Sequence, residues 1–154
     1  MSGRPAGAIL LAVGTGRLWH IWKDGDQAGR PGPGAGPVHV SMNDYLIHRR
    51  RDYVRVGRAG LRFRRHWRRT PGALGLWVAW SPTGRRQISV SVWRNVDDLR
   101  EFVRSPAHRQ VMHAFGTAGV LYTTAWTADR LDRALVWDQA RARLRGEVAG
   151  VPHH

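Results

Sequence analysis

RQISVSVWRNVDDLREFVRSPAHRQVMHAF, residues 86–115, changes period in its middle, and that change decides the fold. Ile88, Val90 and Val92 alternate with Gln87, Ser89 and Ser91, the two-residue period of a strand that keeps one face in a core. After Arg94 the pattern becomes helical. Asn95 is placed to cap a helix, Asp97 and Asp98 fall in its first turn, and Leu99, Phe102 and Val103 recur at helical spacing. Ser105-Pro106 interrupts that helix, because proline disfavours helical backbone in the residue before it. His108, Val111, Met112 and Phe115 then resume a helical face. The stretch predicts a strand over 86–93, a helix, a kink and a second short helix.

Working outward, residues 73–81 (ALGLWVAWS) read as a strand, and Pro82-Thr83-Gly84 as the turn that returns it into the 86–93 strand. Before it, residues 53–69 carry Val56, Gly60, Phe63 and Trp67 at helical steps, and Thr70-Pro71-Gly72 stops that amphipathic helix. Residues 38–47 (VHVSMNDYLI) alternate as a first strand, and residues 119–127 are β-branched and aromatic enough for a fourth. A last helix spans 129–144, with Leu131, Leu135, Gln139 and Ala142 roughly on one side and Thr127 or Asp129 as cap candidates. The order β-α-β-β-α-β plus a C-terminal helix is an α+β, ferredoxin-like split βαβ arrangement with an antiparallel sheet and helices on one face. Trp77, Trp80, Trp93 and Trp126 alternate along the strands and project from both faces, so the open face calls for a second copy and a homodimer.

The chain has 154 residues, the size of one domain. Residues 1–37 are rich in Gly and Pro and read as a flexible N-terminal segment, although RLWHIWK at 17–23 alternates well enough for a short strand. The domain is placed at 38–145 and a flexible tail at 146–154. Gly14–Gly16 lacks the Gly-Lys-Ser/Thr of a phosphate loop. Without cysteine, disulfides and thiol nucleophiles are excluded. The apolar run at 7–13 is too short to span a bilayer, and the expectation is a cytoplasmic protein with no membrane partner. Net charge is +14, and residues 49–69 hold ten arginines against one acid, Asp52. Such a cluster is the footprint of a polyanion partner, but Lys23 is the only lysine, which points to a composition bias as much as to a selected surface.

Residues 91–109, SVWRNVDDLREFVRSPAHR, resemble the strand–helix core of the dimeric α+β barrel proteins of the antibiotic-biosynthesis-monooxygenase type. In those proteins a strand ends in Trp, an acidic helix start follows, and a small residue and His-Arg close the helix. PGALG at 71–75 matches the way their second strand begins, and the resemblance spans about residues 38–127. It implies a dimeric α+β barrel and a soluble enzyme of secondary metabolism. It leaves the chemistry open among cofactor-free oxygenases, heme-degrading and heme-dependent spheroidene-type monooxygenases, dehydratases and proteins without known activity. The cofactor implied is therefore none or heme. The heme-degrading branch has a Trp within the helix, a His further along and an Asn on the first strand; here these positions fall on Phe102, on Met112 beside His113, and on Asn43. The Trp position fails, so that mechanism is not carried over.

A cofactor-free oxygenase needs a cavity, a base that ionises a phenolic substrate, and donors for the resulting oxyanion. His108, just after the kink, is the first base candidate, with His113 and Asn43 as further catalytic candidates. Trp77, Trp80, Trp93, Tyr122 and Trp126 are candidate walls for a flat aromatic or polyene substrate, and Arg109 is a candidate for steering an anion. Each of these residues also has a plain packing or surface role available. No metal site is expected, since the histidines are scattered and His153-His154 form a tail. The alternative from another class is a non-catalytic binding module that meets nucleic acid through the arginine-rich 49–69 helix; no base-reading motif accompanies that helix, so nucleic acid is not expected as the partner.

Overall fold

The computed structural model describes residues 9–13, 16–26, 36–81, 83, 85–145 and 151–152. Its elements in chain order are β1 (Ile9–Val13), β2 (Gly16–Asp24), β3 (Val38–Ile47), α1 (Arg50–His66) with a 3₁₀ turn Trp67–Arg69, β4 (Ala73–Ser81), β5 (Arg86–Trp93), α2 (Val96–Arg104), α3 (Pro106–Phe115), β6 (Gly119–Ala128), α4 (Arg133–Leu144) and β7 (Val151–Pro152). The strands form one antiparallel sheet in the order β1-β2-β4-β5-β3-β6-β7. Its centre, β4-β5-β3-β6, is the split βαβ core that the sequence predicts, with α1 carrying the chain from β3 to β4 and α2–α3 from β5 to β6. The chain thus has the α+β ferredoxin-like fold.

The helix ends follow local chemistry. Asn95 Oδ1 accepts the Asp98 N–H at 2.9 Å and opens α2. Ser105 ends that helix, its N–H donating to the Phe102 carbonyl, and its Oγ accepts the His108 N–H at 3.3 Å to open α3. Proline at the first position of α3 loses no hydrogen bond there. The last helix starts later than expected: neither Thr127 nor Asp129 caps it, because β6 runs on to Ala128 and Asp132 Oδ1 receives the Leu135 N–H at 3.0 Å.

The sheet reaches beyond residue 38 in the N-terminal direction. The short strand read at 17–23 lies within β2 and pairs with β4, Trp22 opposite Trp77, and the Gly25 N–H continues the ladder to the Leu74 carbonyl at 2.9 Å. Residues 151–152 of the C-terminal segment pair with Tyr122 and Thr123 of β6. Residues 1–8, 14–15, 27–35, Pro82, Gly84, 146–150 and His153-His154 lie outside the described residues. Most of the Gly/Pro linker, much of the Pro82-Thr83-Gly84 turn and the terminal histidines therefore fall there.

The two sheet faces have different cores. Toward α1–α3, Trp67, Ala73, Leu76 and Trp93 are buried, with Val78, Leu99 and Phe102 packed on them. On the other face Val40, Met42, Ile88, Val90 and Val92 are buried together with Val136, Trp137 and Ala140 of α4. The face that the sequence reading assigns to a second copy is thus covered by the chain's own α4. The periodicity shows that this helix exists but carries no information about which face it seals.

Candidate functional site

A cavity of about 860 Å³ forms a groove between α1 and the α2–α3 pair. Arg55, Arg58, Ala59, Arg62, Phe63 and His66 recur at the i, i+3, i+4, i+7 spacing of one helix flank and line the groove from α1. Asp98, Glu101 and Phe102 of α2 face them, with Val111, Ala114 and Phe115 of α3 beyond the Ser105 joint. Phe63, Phe102 and Phe115 give the groove apolar ground, the first two meeting edge to face at 5.6 Å.

Its charge is lopsided. Asp98 is already held by two bonds from Arg94, at 2.9 and 3.0 Å, and Glu101 pairs with Arg104 at 3.8 Å. Arg55 leans on Asp52 at 3.5 Å and lies over the Phe115 ring. Arg58, Arg62 and Arg69 have no ion-pair partner among the described residues, so the groove offers guanidinium groups to an anion.

His66 is the histidine that lines this groove. Its Nδ1 lies 2.9 Å from the Arg62 carbonyl, which can only accept, so Nδ1 is the donor, and in the neutral ring Nε2 is the acceptor. The sequence reading passed over His66 because it took the helix face from Val56, Gly60, Phe63 and Trp67. The 55, 58, 59, 62, 63, 66 spacing was the available signal.

The sequence-predicted residues fall in three places. His108 is half-buried behind the groove, its ring 5.0 Å from Phe102 and 6.2 Å from Phe63, and burial holds its imidazole below the usual range while a hydrogen bond with the Val103 backbone works the other way. Trp93 and Trp80 share that side of the sheet. Trp93 is fully buried against Trp67 and Phe102, and its Nε1 donates to Ser91 Oγ at 2.9 Å. Asn43 is also there, accepting from Thr123 Oγ1 at 2.8 Å. Trp77 and Trp126 face α4 instead, Trp77 5.2 Å from Trp137 and Trp126 donating to Gln139 Oε1 at 2.8 Å. Tyr122 is an exposed residue of β6 on that same side. Arg109 and His113 are exposed on α3. The five aromatics therefore do not line one pocket, because the strand alternation that placed them also sends them to opposite faces.

A heme held as in the heme-degrading branch does not fit these residues. Phe102 fills the Trp position and is packed against Trp67, Trp93 and His108, while His113 points from the exposed end of α3. Among the described residues no three His, Asp or Glu side chains are grouped to hold a metal ion, and no helix is long and apolar enough to cross a membrane.

No known family's sequence profile matches the chain, and no curated protein matches it in sequence. Solved structures do match in fold. A ferredoxin-fold protein of Listeria monocytogenes related to antibiotic biosynthesis monooxygenases superposes with a TM-score of 0.54 at 10% identity, over 84% of each chain. A proposed monooxygenase of Lactobacillus acidophilus gives 0.56 at 9% identity over 75% of this chain, which spans about half (54%) of that longer protein. SnoaB of Streptomyces nogalater, a cofactor-independent oxygenase, gives 0.50 at 18% identity over 64% of this chain and 99% of its own. The fold is that of the monooxygenase-like ferredoxin-fold proteins. The likeness is one of backbone architecture at these identities.

Proposed function

We propose that the chain is a small oxygenase that takes a flat aromatic or polyene metabolite with an acidic oxygen into the groove between α1 and α2–α3. The observation that carries this reading is the groove itself: phenyl rings beside unpaired arginines, in a fold shared with an oxygenase that uses no cofactor. His66 Nε2 accepts the proton of the substrate, and Arg58 and Arg62 hold the resulting oxyanion. For a methylene between aromatic rings, dioxygen is the oxidant and the balance is CH₂ + O₂ → C=O + H₂O. One oxygen stays as the carbonyl, and both hydrogens leave in water.

Oxygen uptake with 1,8-dihydroxyanthrone as probe tests this reading. Wild type is expected to exceed the buffer rate. His66→Gln should lower turnover about 10²–10⁴-fold, as loss of a general base does. Arg62→Glu should lower kcat/KM about 10–100-fold, as loss of charge-assisted holding does. Both variants should melt as wild type does, since both side chains are exposed. His108→Gln distinguishes the two histidines: if it abolishes turnover while His66→Gln is silent, the base is the buried imidazole. No uptake above buffer would remove the oxygenase reading.

A further inference from the structure

On its other flank α1 closes a second, smaller cavity of about 370 Å³ against β2, β4 and β5, within the size range of small-molecule sites. We propose that this cavity is a binding site for a small apolar carboxylate, an aromatic or short acyl body with one anionic head, on the opposite flank of α1 from the groove, sharing Arg58 with it, and argued without the oxygenase reading.

Three observations converge on it. First, its walls are apolar, with Ile21 of β2, Val78 and Trp80 of β4, and Val54 and Leu61 of α1. Val54 and Leu61 are 54% and 51% exposed, the highest values among the large apolar side chains described, so the protein leaves uncovered the surface that such a ligand would cover. Second, Gly57 lines the cavity in mid-helix, where glycine costs about 1 kcal/mol relative to alanine. A Cβ built there meets nothing within 4 Å, so no packing demand within the described protein explains the missing side chain, and an occupant of the cavity would. Gly60 differs, since its Cβ would lie 2.8 Å from the Gln87 amide nitrogen, which is how that amide reaches the cavity wall. Third, Arg64 lines the cavity and its Nε–H is buried without a hydrogen-bond partner, a donor whose desolvation is uncompensated until an acceptor arrives. Arg58 adds a second cation, and no acidic side chain lines the cavity, so the head that fits is negative.

Calorimetric titration with 2-naphthoate, and with neutral 2-naphthamide for comparison, decides the matter. Wild type should bind naphthoate with a saturable component that Gly57→Leu removes. Gly57→Leu fills the space and should weaken binding of both probes at least ~10-fold, while the melting temperature holds or rises because leucine is the better helix former. Arg64→Gln should weaken naphthoate about 5–10-fold and leave naphthamide unchanged. Arg62→Glu, in the groove, should leave in place the component that Gly57→Leu removes. The proposal is overturned if naphthoate does not saturate by the low millimolar range, if Gly57→Leu binds as wild type does, or if Arg62→Glu abolishes binding and so moves the site to the groove.

Discussion

The two faces of the sheet solve one problem in opposite ways. Under α4 the face is closed: Trp137 stacks on His20 at 4.5 Å, Trp77 stands beside both, and the valines of β5 are shut away completely, while Tyr122 at the β6 end stays exposed. Toward α1–α3 the layer is open, because α1 and the α2–α3 pair touch at their phenyl rings yet leave a cavity on either flank of α1. A sealed face supplies stability, whereas a face with gaps supplies places for ligands. Substitutions on the two sides should therefore report on different quantities, stability on one and turnover or binding on the other.

The contrast can be broken most severely at α4. Ending the chain before Asp129 would bare the apolar face, and the truncated protein should either fail to fold or associate face to face; light scattering of a well-behaved monomer would show that α4 is not the seal. Trp137→Ala in the full chain should cost about 3–5 kcal/mol in urea unfolding, as deletion of a buried aromatic does. Removing residues 1–26 is the next largest change, since it strips β2 from β4 and takes Trp22 and His20 from the aromatic cluster. A melting point that survives this deletion would place the boundary of the folded unit at 38, as read from composition.

A smaller effect is expected from acid. His20, His39 and His108 all hold their imidazoles below the ordinary value of 6.5, in each case chiefly through burial. The unfolded chain then binds protons that the folded one refuses, so stability is full above 6.5 and falls as pH drops through that value toward the folded ones. His20→Phe keeps the stacked ring and removes two buried nitrogens that have no partner, so it should raise stability by about 1–3 kcal/mol and flatten the decline. An unchanged acid slope would assign the effect to the other two histidines. The least effect is expected with DNA. The exposed arginines of α1 guarantee attraction at low salt, but a duplex oligonucleotide should be released near 0.15 M salt, because binding through phosphates alone weakens steeply with salt. A submicromolar complex that persists there would favour the binding-module reading over the enzyme.

How much of this was legible depended on whether the deciding interactions were local. The central strands, Asn95 as a cap and the break at Ser105-Pro106 are written in neighbouring residues, and they stand as the sequence predicts. The place of α4 is not local: its residues say only that it has an apolar side, and the choice of face rests on Trp77 and His20, far away in sequence. The same limit scattered the tryptophan candidates, since alternation says that two faces exist without naming their occupants. His66 was missed for a related reason. It lies between helices rather than against the sheet, and apolar periodicity marks only the sheet-facing side.

Gly75, the third residue of β4, has no side chain, and a Cβ there would lie 2.0 Å from the Trp22 ring of β2. The indole occupies a notch one residue wide, next to Trp77, the following residue of β4 on the same face. Sliding β2 by two residues would keep the hydrogen-bonding pattern and the in-out alternation, yet it would drive the indole into a position that already carries a side chain. The joint therefore works as a key in a keyway: an edge that backbone geometry would let slip in steps of two is fixed at a single setting by the absence of one methyl group.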